Sequence, residues 1–110
     1  MTTELALEYI PRRMEELGYG KNYHIQFRHF VLRPLDKIKV HGLNQLFILI
    51  EPHEMVEVKS DSGVFDVTSS LYNEMQYEHQ GFMWLRNYSI IPLHVRFIQI
   101  IPKISTHACE

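Results

Sequence analysis

The chain has 110 residues, of which 45% are hydrophobic and 22% charged, and its formal net charge is −2 at neutral pH. These values indicate one globular domain with a hydrophobic core, and they exclude a disordered chain or two domains of ordinary size. Because the charge is slightly negative and the basic residues are scattered along the sequence, no nucleic-acid partner is predicted.

Targeting and membrane segments are not evident in the sequence. The N-terminus has no basic region followed by a long apolar run. The longest apolar run, Leu46 to Ile50, is far shorter than the ~20 residues that span a bilayer. The single cysteine, Cys109, cannot form an internal disulfide, and it is interpreted as a thiol in an exposed tail. These features fit a cytoplasmic origin or intracellular assembly, and we expect neither a membrane span nor a classical secreted precursor.

Residues 1–20 are predicted to form an N-terminal arm and a short helix. Pro11 suits the first position of a helix and Gly18 suits its end. Residues 1–10 would then be a helical turn or an extended arm separated from the helix by Pro11. Its apolar side chains, which must be buried on the same domain or on a neighbouring subunit, are Leu5, Leu7, Tyr9 and Ile10.

From Tyr23 onward the hydrophobic period is two, which is typical of β-strands. Gly42 interrupts one run, and the apolar stretch 46–50 predicts a strand that is buried on both faces. Gln80-Gly81 is predicted to form a hairpin, whereas segment 71–79 fits either a helix or a strand.

The turn signals divide residues 21–104 into roughly eight short strands, a number typical of a jelly roll. The predicted fold is therefore a mainly β, antiparallel β-sandwich or jelly roll, followed by a C-terminal tail at 105–110. Residues 97–100 are apolar on both sides of their strand except for Gln99. Such a strand needs a cover on each face, which favours contact with another element or subunit.

Seven histidines are the most unusual feature of the composition. Metal sites of the cupin type use a His-x-His pair, which is missing, and adjacent residues on a strand point to opposite faces. If a metal site exists, His41, His79 and His94 are its preferred ligands, but no metal or other cofactor is predicted. The Gly-x-Ser-x-Gly nucleophile motif is also missing, and we do not expect an enzyme.

A cluster of aromatic residues offers a candidate contact surface. If Met83 and Leu85 face the core, strand alternation turns Phe82 and Trp84 outward. Together with Tyr88, these side chains could fill a protein interface or stack on a sugar. The alternative is that Trp84 belongs to the core.

Four segments carry a resemblance to a known class of protein: Asn44–Ile50, Ser60–Asp66, Tyr77–Gly81 and Arg96–Pro102. The stretch that contains them resembles small jelly-roll structural proteins of bacteriophage particles. The resemblance implies a vertex, spike or capsid accessory subunit of a virion, assembled through its N-terminal arm, so the expected location is a virion or the cytoplasm. No catalytic residue carries over.

The expected function is therefore that of a structural or assembly protein that binds itself or other structural proteins. It would associate through apolar strand faces and through its N-terminal arm. One alternative is a carbohydrate- or ligand-binding β-sandwich module that uses the aromatic cluster. A second alternative is a cupin-like metal-binding protein.

Overall fold

The computed structural model describes residues 2–51, 55–61, 63–65 and 77–103. The expectations for His53, His107, Cys109, the tail at 105–110 and positions 71–76 of the ambiguous segment lie outside these residues. One helix and six strands are described: α1 (Thr3–Glu16), β1 (Tyr23–Leu32), β2 (Lys37–Ile50), β3 (Val56–Ser60), β4 (Gly63–Phe65), β5 (Glu78–Asn87) and β6 (Leu93–Pro102).

The strands form one curled antiparallel sheet in the order β1-β6-β2-β5-β3-β4. The expectation of a mainly β fold with a helix near the N-terminus is thereby confirmed. The finer expectation, an eight-stranded sandwich or jelly roll, is not confirmed, because the described strands make a single six-stranded sheet. The strand count was too high partly because two stretches that were expected to be separate strands belong to one.

That merged strand is β2, which continues through Gly42 by means of a β-bulge. Gly42 pairs with Gly81, whereas Leu46 pairs with Gln80, so four steps along β2 match one step along β5. A Cβ at Gly42 would lie 2.3 Å from Oε1 of Gln45, so only glycine fits there without a shift. The prediction that Gly42 breaks the strand is wrong, and so is the predicted hairpin at Gln80-Gly81, because both glycines lie inside paired strands.

One side of the curled sheet, called the inner face here, holds the main core. The bulge exchanges the two faces of β2, since Ile38 and Val40 face this core before it and Phe47 and Leu49 do so after it. The buried members of the core come from β1, β2, β3, β5 and β6: Leu32, Phe47, Leu49, Val56, Val58, Met83, Leu85, Leu93, Val95 and Phe97.

A second core lies on the opposite side of the sheet, called the outer face, under helix α1. Ala6, Ile10 and Met14 recur every four residues, which places them on one side of the helix. They pack against Leu46, Ile48, Ile50, Ile98 and Ile100 of β2 and β6. The prediction that residues 46–50 form a strand buried on both faces is thus confirmed, and the cover comes from the same chain.

Helix α1 runs through Pro11 without a break, contrary to the prediction that Pro11 separates an arm from a short helix. The helix begins at its N-cap, Thr2, whose Oγ1 accepts a hydrogen bond of 3.2 Å from the backbone N–H of Leu5. Proline removes one intrahelical hydrogen bond, to the carbonyl of Leu7. Burial of Ile10 and Met14 on either side of Pro11 keeps the helix continuous.

This packing predicts different effects for two substitutions in the same helix. Ile10 is 3% exposed and Leu5 is 57% exposed. We expect Ile10→Ala to lower the free energy of unfolding by about 2–5 kcal/mol, since it leaves a cavity between helix and sheet. Leu5→Ala, the matched control, should change it by less than ~0.5 kcal/mol. Urea unfolding followed by circular dichroism measures both, and equal effects would contradict the packing of α1 on the sheet.

Candidate interaction surfaces

The four helix residues predicted to form an interface have different surroundings. Ile10 is buried against the sheet, and Tyr9 is half-buried beside it. Leu5 and Leu7 are exposed on the remaining surface of the helix. The helix therefore covers its own sheet with one side, and it still presents two leucines to solvent.

An ion-pair network fixes the helix to the sheet beside this second core. Glu78, at the start of β5, accepts hydrogen bonds from the guanidinium of Arg13, 3.0 Å from Nε to Oε1 and 3.1 Å from Nη2 to Oε2. The hydroxyl of Tyr9 donates to the same carboxylate. A bidentate contact between arginine and carboxylate fixes the relative orientation of the two groups as well as their distance. The network therefore orients α1 across the start of β5.

The protonation of these groups reflects their surroundings. Burial alone would raise the pKa of Glu78, but hydrogen bonds from Arg13, Tyr9 and Gln80 outweigh it and lower that pKa. Burial and the hydrogen bond to Glu78 raise the pKa of Tyr9 to about 12. At neutral pH, Glu78 is therefore an anion and Tyr9 a neutral donor.

The edge strand β1 is the first surface without a partner in the described part of the chain. Its ten residues pair with β6 in unbroken register, and no described segment pairs with its other side. Phe27 and Val31 project from its outer face, 62% and 53% exposed. Natural sheets protect their edges with short strands, bulges, prolines, charged side chains on the edge strand or inward-pointing charges.

Strand β1 lacks three of these features, since it is ten residues long, contains no proline and pairs with β6 without a bulge. It does have one inward-pointing charge, because Arg28, its only Lys, Arg, Asp or Glu residue, is turned toward the core. The Arg28 guanidinium donates to Oε1 of Gln99 at 2.6 Å and lies over the rings of Phe30 and Phe97. At the opposite edge of the sheet, the described part of β4 has three residues.

An apolar groove between helix and edge extends this surface. It is lined by Leu7, Ile10 and Pro11 of α1 together with Tyr23, His24 and Ile25 of β1, and its volume is about 280 Å³. Strand alternation places Phe27 on the same face as Ile25. The groove and the two exposed side chains of β1 therefore form one apolar strip along the edge, which we call the β1 edge.

The aromatic residues of β5 behave as alternation predicts. Met83 and Leu85 are fully buried in the inner core, while Phe82 and Trp84 lie half-buried on the outer face. Tyr88 follows the strand and is 39% exposed. The alternative that Trp84 is a core residue is therefore wrong.

Basic side chains surround Trp84 from both neighbouring strands. In register, Trp84 pairs with Lys39 of β2 and with Lys59 of β3. The ammonium groups of Lys39, Lys37 and Lys59 lie 5.0, 5.4 and 5.5 Å from the centroid of the Trp84 ring. These contacts are within the range of cation–π attraction. We call this surface the Trp84 face, and it consists of Lys37, Lys39, Lys59, Phe82, Trp84 and Arg86.

The histidines proposed as metal ligands do not come together. His79 is buried on the inner face, where its Nδ1 lies 2.5 Å from Oγ of Ser60, whereas His41 and His94 are exposed. His94 instead stacks on His29, with ring centroids 4.9 Å apart. Within ranges 2–51, 55–61, 63–65 and 77–103, no three His, Cys, Asp or Glu side chains form a group that could hold a metal ion.

Comparisons with known proteins add no relative to this description. No protein-family model, curated protein sequence or solved structure matches the chain at a significant level. Across the described residues, no helix has both the length and the apolar character needed to cross a membrane.

The Glu78 network predicts how stability responds to pH. Because the pKa of Glu78 is lowered by folding, its contribution is present above the unfolded pKa of about 4.3 and is lost as the pH falls through the folded value. We expect Glu78→Gln to be less stable than wild type at neutral pH and to lose less stability on acidification. Urea unfolding across the acidic range measures this difference.

The matched control for that experiment is Glu16→Gln. Glu16 also accepts a hydrogen bond from Arg13, at 3.3 Å, but its side chain is 59% exposed against 11% for Glu78. Exposed ion pairs contribute about 0–1 kcal/mol, so the control should follow wild type. Parallel acid profiles for wild type and Glu78→Gln would contradict the assigned role of Glu78.

Proposed function

We propose that the protein is an assembly subunit that associates by adding a strand to its β1 edge. The observation that carries the proposal is a ten-residue edge strand that has no proline and no bulge and carries two exposed apolar side chains. An edge of this kind pairs readily with another extended chain through its backbone N–H and C=O groups. Leu7 of α1 lines the adjoining groove and enlarges the same surface, so helix and strand would contribute together.

The partner proposed is a second copy of this chain, related by a two-fold axis. Two identical edge strands are self-complementary when they run antiparallel, and two-fold contacts are the commonest in soluble oligomers. A register centred on Phe27 pairs Phe27 with its own copy and Arg28 with Gln26 of the second copy. A register centred on Arg28 would instead place two guanidinium groups opposite each other, which is unfavourable.

The centred register also keeps the outer faces of both copies on the same side of the continuous sheet. Tyr23 would then pair with Val31 of the second copy, and Ile25 with His29. Cross-strand pairs of aromatic and β-branched residues contribute about 0.2–1 kcal/mol each. Those contributions are small, so the exposed Leu7 beside the groove is needed to enlarge the buried apolar area.

A charge at the centre of the pairing tests the proposal. Phe27→Lys places two ammonium groups opposite each other, and we expect it to convert a dimer into a monomer. The matched control is Leu35→Lys, because Leu35 is 63% exposed in the turn after β1. This substitution should leave the dimer intact. Sedimentation equilibrium from micromolar to near-millimolar protein gives the masses. A wild-type chain that stays monomeric throughout would overturn the proposal.

The register itself is tested by oxidation of introduced cysteines in a Cys109→Ser background. Side chains directly opposite each other have Cβ atoms about 4.5–5.5 Å apart, so Phe27→Cys should form a disulfide-linked dimer. Val31→Cys, which faces Tyr23 of the second copy, should not do so. Non-reducing electrophoresis separates the two outcomes, and equal cross-linking of both variants would refute the register centred on Phe27.

A further inference from the structure

The Trp84 face gathers basic residues that are far apart in the sequence. Lys37 and Lys39 come from β2, Lys59 from β3 and Arg86 from β5, and antiparallel register places them on one side of the sheet. The described side chains of this region include one carboxylate, Glu57, which pairs in register with Arg86 and lies 3.4 Å from the Tyr88 hydroxyl. Four cations therefore face one anion, although the whole chain has a net charge of −2.

Aromatic rings run along the centre of this basic surface. Phe82 and Trp84 lie two positions apart on the same face of β5, so their Cα atoms are roughly 6.6–6.8 Å apart along the strand. Lys39 approaches both rings, at 5.6 Å from the centroid of Phe82 and 5.0 Å from that of Trp84. The pocket beside Trp84 has a volume of about 120 Å³ and is lined in part by Lys37, Lys59 and Arg86.

We propose that the Trp84 face binds single-stranded nucleic acid. Two chemical features of the surface must be matched by one ligand, namely flat rings for stacking and a row of cations for phosphates. Single strands present both, because their bases are unpaired and their backbone is anionic. Sheets that bind RNA use aromatic residues on neighbouring strand positions for the same purpose.

The lysines explain why other ligands fit less well. A neutral sugar would stack on Trp84 but give the three lysines around the ring no anionic partner. A duplex hides the faces of its bases inside the helix, and an anionic membrane offers no ring to stack on. Because a lysine stem is flexible, an ammonium group can move from the ring to a phosphate when a base stacks on Trp84.

Trp84 is the only tryptophan in the chain, so its fluorescence reports on this surface alone. We expect saturable quenching by an oligothymidylate of about ten nucleotides at low salt, within the usual site size for such surfaces. Four phosphate contacts predict a slope of about −3 for the logarithm of the affinity against the logarithm of salt concentration. An RNA oligonucleotide of the same length tests whether DNA and RNA are bound equally.

Matched substitutions separate stacking from charge. Lys39→Gln should reduce the salt slope by about 0.7, while Lys103→Gln, an exposed lysine elsewhere on the chain, should leave it unchanged. Trp84→Leu should weaken binding roughly 5- to 150-fold without changing the slope. The affinity of Trp84→Leu is measured by anisotropy of a labelled oligonucleotide, and its fold is checked by circular dichroism.

Three results would overturn the proposal: no saturable quenching by either single strand, equal binding of a duplex, or equal competition by heparin or phosphatidylserine vesicles. The last result would identify a general polyanion surface. Phe27→Lys should bind the oligonucleotide like wild type, because Phe27 lies on β1 and outside the Trp84 face. The binding test is therefore independent of the proposed self-association.

Discussion

The central strands of the sheet are apolar on both sides, and the rest of the structure depends on how both sides are covered. Phe47 and Leu49 of β2 face the inner core, while Ile48 and Ile50 face the opposite way. Curling of the sheet covers the first pair with side chains from β1, β3, β5 and β6. Curling does not cover Ile48 and Ile50 on the other side of the sheet. Helix α1 covers that side with Ile10 and Met14.

Covering the outer face with one helix explains where exposed surface remains. Helix α1 has fourteen residues, about 21 Å at 1.5 Å per residue, and it packs mainly over the second halves of β2 and β6. Glu78 lies on the outer face of β5 and binds Arg13, but Trp84, six residues further along the same strand, is beyond the helix. The β1 edge and the Trp84 face are therefore two uncovered parts of one surface, with different chemistry.

Local sequence patterns predicted the parts of the fold that depend on local rules. The period of two located β1 and β6, and the unbroken apolar run predicted burial of residues 46–50 on both faces. The same patterns failed at Gly42 and Pro11. A glycine within an apolar run fits the end of a strand as well as a bulge, and a proline fits the start of a helix as well as its interior. The bulge at Gly42 depends on its pairing with Gly81, and the continuous helix depends on the packing of Ile10 against the sheet. Both are long-range contacts.

The candidate sites could likewise be predicted only where they depend on local sequence patterns and not on long-range contacts. Phe82 and Trp84 could be assigned to the outer face because Met83 and Leu85 alternate with them. Lys59 could not be placed beside Trp84, because that contact depends on the register of β3 against β5. The net charge does not locate the basic residues for the same reason, since it adds the exposed glutamates of α1, such as Glu4 and Glu8, to the lysines of the sheet. A sum over the chain carries no information on where each charge lies. A chain with a net negative charge can thus present a basic face, and only the strand register reveals that face.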